Sequence, residues 1–112
     1  MTRPSRFLII DDVPLVRRSY EAMAHKAGIE EVIVAANGKE AIDALEEYDY
    51  AFDAMLLDIV MPELDGIELL SYLHRVDARI PIVLVSGHPD NILEVADKLG
   101  RSLQLPITRM VE

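Results

Sequence analysis

Four short, uninterrupted apolar runs constrain this chain more than anything else in it. Phe7-Leu8-Ile9-Ile10 stops at Asp11-Asp12, and Val32-Ile33-Val34-Ala35-Ala36 stops at Asn37-Gly38. Ala54 to Leu57 ends at Asp58, and Ile82-Val83-Leu84-Val85, opened by Pro81, ends at Ser86-Gly87. Runs this short with no polar alternation fit strands buried on both faces. Between them the pattern changes to helical spacing. Val16, Tyr20, Met23, Ala24 and Ala27 form one stripe, with Gly28 placed as its C-terminal stop. Asp12 is placed to cap this helix, and Pro14 suits its first turn. Ala41, Ala44, Leu45 and Tyr48 form a second stripe. Leu69, Leu70 and Leu73 form a third, after Met61-Pro62 and the turn pair Asp65-Gly66. Ile92, Val95, Ala96, Leu99 and Leu103 form a fourth, despite Gly100.

Apolar strands alternating with helices predict an α/β fold, a parallel sheet covered on both faces by right-handed crossovers. At 112 residues the chain fits one domain, residues 1–112. Eleven Lys and Arg against twenty Asp and Glu give a net charge of −9, which argues against binding nucleic acid or an anionic membrane surface. Cysteine is absent, which removes disulfides, thiolate metal sites and cysteine catalysis. No apolar run approaches the roughly 18 residues of a membrane span. A cytoplasmic protein is expected.

The polar ends of the runs carry the chemistry. In an open parallel sheet, ligands bind beyond the carboxyl ends of the strands. Asp11, Asp12 and Asp58, distant in sequence, are therefore expected to share one pocket. Crowded carboxylates repel one another, and a hard divalent cation such as magnesium compensates them with oxygen ligation. That site suits phosphoryl transfer, which rests on positioning and charge neutralisation. A carboxylate can itself be the nucleophile, giving an acyl phosphate, and Asp58 on the middle strand is the candidate. Ser86 can donate a hydroxyl hydrogen bond to a phosphoryl oxygen.

Taken together, Asp11-Asp12 after the first strand, Asp58 after the third, Met61-Pro62 with Asp65-Gly66, and Ser86-Gly87 after the fourth resemble the receiver domain of bacterial two-component response regulators. The likeness runs from about Phe7 to the C-terminus. It implies a flavodoxin-like, doubly wound five-stranded sheet of order 2-1-3-4-5. It also implies that Asp58 is the phospho-acceptor, charged by a sensor histidine kinase, a phosphotransfer protein or a small phosphodonor. Magnesium would be held by Asp11, Asp12, Asp58 and the backbone carbonyl of Val60. Ser86 would be the switch hydroxyl, and Gly87 would leave space for the phosphoryl group. Such a domain catalyses at most its own phosphorylation and dephosphorylation.

The family also has a Lys-Pro pair after the fifth strand. One register puts that strand at Leu103 to Leu105, with Leu105-Pro106 in place of Lys-Pro. The preferred register extends the fourth helix to about Gln104 and makes Ile107 to Val111 the last strand, near the usual length of about 5–6 residues. The lysine and fifth helix then fall beyond Glu112, and a C-terminally truncated receiver, detached from an output domain, is expected. Apolar surface beside the first and fifth strands would favour a homodimer. The position of the family's aromatic switch residue falls on Met110. His25 and His74 read as surface residues on helices, and His88 as a loop histidine near the pocket.

Two other readings compete. A degenerate receiver would serve only as a docking or dimerisation module. An aspartyl-phosphate phosphatase would use the same acyl phosphate but typically has Asp-x-Asp after the first strand, where this chain has adjacent Asp11-Asp12. The five glycines form neither a dinucleotide fingerprint nor a phosphate loop.

Overall fold

The computed structural model describes residues 3–58, 65–86, 101 and 104–111, with backbone alone at 65, 66, 86 and 107–111. Strands β1 (Arg6–Ile10), β2 (Glu31–Ala35), β3 (Ala54–Asp58), β4 (Ile82–Ser86) and β5 (Ile107–Val111) alternate with helices α1 (Pro14–Lys26), α2 (Gly38–Glu47) and α3 (Asp65–Arg75). All four strand pairings are parallel, in the order β2-β1-β3-β4-β5. This is the parallel sheet read from the apolar runs, in the strand order that the receiver-domain resemblance implies. The last strand follows the preferred register: the Pro106 carbonyl accepts the Ile82 amide, Ile107 pairs with Ile82, and Leu105 is buried in the core. The alternative strand at Leu103 to Leu105 is thereby excluded. The fourth helical stripe lies outside the described residues, apart from helical Arg101 and the left-handed turn at Gln104.

The two sheet faces differ. Leu8 and Ile10 of β1, Met55 and Leu57 of β3, and Ile82 and Leu84 of β4 join Ala41, Ala44 and Leu45 of α2 and Leu69, Leu70 and Leu73 of α3 in one core cluster. On the other face α1 lies over β1 and β2 and buries no residue fully. There Phe7, Ile9 and Leu56 meet Tyr20, Met23 and Ala24 along an open apolar groove of about 190 Å³. Apolar surface beside the first strand agrees with expectation. Its other wall is β3; the side chains of β5 are outside the described set.

Capping explains the helix boundaries. Asp12 does not cap α1, contrary to the sequence reading. The N-cap is Val13, extended at φ −98° and ψ 112° and without a side-chain cap bond. Pro14 at the first helical position disfavours a helical conformation in the residue before it. The Val13 amide is instead satisfied by the Asp11 carboxylate at 2.8 Å. At α2, Asn37 Oδ1 accepts the Glu40 amide at 2.8 Å while Glu40 Oε1 accepts the Ala36 amide at 2.9 Å, close to a reciprocal capping box.

At the opposite, amino end of the sheet, Arg6 sets the register. Its Nε donates to Glu31 of β2 at 2.6 Å, its Nη1 donates to the Ala51 carbonyl at 3.0 Å, and its guanidinium stacks on Tyr48. The Arg6 amide donates to the Asp53 carboxylate at 2.8 Å, and Arg3 pairs with that carboxylate as well. The backbone bond from Arg6, aided by Arg3, holds the Asp53 carboxyl below its ordinary value.

Candidate functional site

Strand register converts sequence separation into proximity. Ile10 pairs with Leu57, so the next residue on each strand, Asp11 and Asp58, emerges level at the carboxyl edge. Asp58 pairs with Val85, which puts Ser86 one step further along that edge, opposite Val111. The structure brings Asp11, Asp12 and Asp58 together, with one carboxylate oxygen from each lying within 4.8 Å of the other two. Asp11 is buried, at 2% exposure; Asp12 and Asp58 are half-buried and open to solvent.

The loop carrying two of these carboxylates is held from three sides. The Asp11 amide extends the β1–β2 ladder by donating to the Ala35 carbonyl at 3.1 Å. Its carboxylate accepts the Val13 amide, and its carbonyl accepts Arg17 Nη1 at 2.9 Å. Arg17 escaped the sequence reading. Its role depends on α1 starting at Pro14, which brings the first helical turn back over the loop; hydrophobic periodicity carries no signal for that.

Oxygen donors alone make up the cluster, as a hard cation requires. Ligand oxygens around an octahedral magnesium at roughly 2.1 Å stand about 3–4 Å apart. Small side-chain rotations bring three oxygens already within 4.8 Å to that spacing. The residues present therefore fit the ion. Of the other expected site residues, Val60, Gly87 and His88 lie outside the described residues, as does Met61-Pro62; Ser86 and Met110 are described in backbone only. Asp65-Gly66, read as a turn pair, instead opens α3. His25 and His74 are exposed on α1 and α3, and His25 Nδ1 lies 3.2 Å from the Ile29 carbonyl.

An open parallel α/β sheet with an acidic pocket at its carboxyl edge is the class of protein these features define. The profile of the response regulator receiver domain matches residues 7–101, and the chain belongs to that family. Among curated proteins, it is 36% identical over 82 residues to chemotaxis protein CheY of Bacillus subtilis, covering 73% of this chain and 67% of that protein. It is 40% identical over 91 residues to protein-glutamate methylesterase/protein-glutamine glutaminase 3 of Rhodospirillum rubrum, covering 81% of this chain and only 24% of the relative. Among solved structures, the CheX-CheY-BeF3-Mg+2 complex from Borrelia burgdorferi superposes with a TM-score of 0.81 at 26% identity, covering 97% of this chain and 78% of that one. Among the described residues, no helix is long and apolar enough to cross a membrane.

Proposed function

We propose that this chain is a cytoplasmic phosphoacceptor switch. Asp58 receives a phosphoryl group from a sensor histidine kinase or phosphotransfer protein, and the phosphorylated form alters contacts with a partner or output domain. The convergence of Asp11, Asp12 and Asp58 at one sheet edge carries this reading. Asp11, Asp12, Asp58 and the Val60 carbonyl would hold magnesium, which when bound offsets carboxylate charge and the charge of the transferring oxygens. An Asp58 carboxylate oxygen forms its bond to phosphorus as the donor's phosphorus–nitrogen bond breaks. The electron pair leaves on the imidazole nitrogen, which gains a proton from water. Ser86 then donates its hydroxyl to a phosphoryl oxygen, and Gly87 leaves the room that oxygen needs. These contacts exist only in the phosphorylated state, so they shift the population of loop arrangements toward it.

Incubation with acetyl phosphate and magnesium, followed by intact mass measurement, tests the reading. The expected result is a single added phosphoryl group, absent from Asp58→Asn. An unchanged mass in a folded, magnesium-saturated sample would leave a docking module. Sustained turnover of a generic phosphate ester would favour the phosphatase.

A further inference from the structure

The Asp11 carbonyl that accepts Arg17 Nη1 belongs to the peptide joining Asp11 to Asp12. That peptide is planar and rigid, so fixing its oxygen restricts ψ of Asp11 and φ of Asp12 together, and with them the direction in which the Asp12 side chain leaves the backbone. Asp11 has two further tethers, through its amide and its carboxylate. No hydrogen bond of the Asp12 carboxylate is seen among the described residues, so its aim depends on the backbone beneath it. Arg17 is well anchored for this task, since its own amide donates to the Val13 carbonyl at 3.0 Å. Among the described residues the guanidinium forms no ion pair with any of the three carboxylates, so it steadies the loop without occupying the oxygens a cation would use.

From this geometry we infer that Arg17 is a positioning residue for the acidic pocket, acting on cation affinity through the Asp11–Asp12 peptide. The inference rests on the proposed function, since it takes the pocket to bind magnesium. Arg17 has two opposed effects on such an ion: its positive charge repels the ion, while its hydrogen bond organises the ligands. Arg18 separates them. It is exposed on the same helix, carries the same charge and makes no such bond among the described residues.

Magnesium alone, titrated into the whole chain and followed by amide chemical shifts around Asp11, Asp12 and Asp58, reads the effect. Urea midpoints in chelator establish that each variant folds without metal. Arg17→Met is expected to weaken magnesium binding about tenfold, in the range found when groups orienting metal ligands are removed. Arg18→Met is expected to leave binding unchanged or slightly tighter. Arg17→Lys, which keeps a donor of similar reach, should recover most of the native affinity. Metal-free amide exchange at Asp12 should quicken in Arg17→Met and not in Arg18→Met. If Arg17→Met does not fold, Arg17→Gln takes its place under the same criteria. Native affinity in Arg17→Met, equal weakening by the Arg18 substitution, or failure of Arg17→Lys to recover binding would each overturn the inference while leaving the cation site standing. Absence of magnesium binding by the native chain would overturn the cation site itself, and this inference with it.

Discussion

The hydroxyls of Tyr50 and Tyr72 lie 2.8 Å apart in a half-buried contact between the turn after α2 and the C-terminal half of α3. Burial, followed by the bond to Tyr50, pushes the Tyr72 phenol from its ordinary 10.0 to about 12, with Glu46 adding and Arg75 opposing. A raised value means that the folded state holds this proton more tightly than the unfolded chain does. The associated stability is complete below about pH 10 and is lost as pH rises through about 12. A tyrosinate absorbance titration should show a late step near pH 12, and Tyr72→Phe should remove that step and flatten stability between those values. Absence of a late step in the native chain would contradict the contact. Residues of this kind were not legible in the sequence, because a tertiary hydroxyl pair leaves no periodic trace. Asp11, Asp12 and Asp58 were legible for the opposite reason: each interrupts an apolar run, and parallel pairing then sets the interruptions side by side.

At the scale of elements, α1, α2 and α3 share one pattern of C-terminal hydrogen bonds. Beyond α1, the Ile29 amide donates to the Ala24 carbonyl and the Gly28 amide to His25. Tyr50 to Leu45 with Asp49 to Glu46 repeats the pattern after α2, and Ala78 to Leu73 with Asp77 to His74 repeats it after α3. Each is a Schellman motif, and each needs a left-handed residue just past the cap. Gly28 takes that conformation at φ +96°, where a side chain would be strained; Asp49 and Asp77 take it at +53° and +56° and carry the strain. The sequence showed only the first stop, since glycine is its recognised signal and aspartate is not. Asp77→Gly should therefore raise stability by about 0.5–1 kcal/mol, the relieved strain exceeding the added freedom of the unfolded chain. The Arg79 pair lost with it is exposed and worth little. Gly28→Ala should lower stability by about 1 kcal/mol. Urea unfolding midpoints of the two variants, moving in opposite directions from the native chain, are the check; a shared direction would mean that other contacts govern the turns.

At the scale of the whole molecule, and among the described residues, one face of the sheet is covered more fully than the other, although Ile9 on the α1 side is also buried. The residue pattern gave a parallel sheet with right-handed crossovers and the family resemblance supplied the strand order, but neither gave this inequality. A run such as Ala54 to Leu57 is apolar at every position and so hides which residues meet a full layer. In the fold the run divides by alternation: Met55 and Leu57 are fully buried against α2 and α3, while Leu56 is half-buried in the groove beside α1. Leu15 at 74% and Met23 at 60% exposure show how little of α1 is covered. Truncating a core side chain costs its lost transfer energy plus the cavity it leaves, whereas a groove open to water leaves no sealed cavity. Met55→Ala should therefore destabilise by about 2–5 kcal/mol. Leu56→Ala, one residue away and losing a side chain of similar size, should cost about 1–2 kcal/mol because much of that surface is already hydrated. Chemical denaturation of the two variants under identical conditions measures the difference. Equal losses would mean that the α1 face is as closed in solution as its opposite; the expected gap means that strand side chains facing α2 and α3 carry more of the stability than those facing α1.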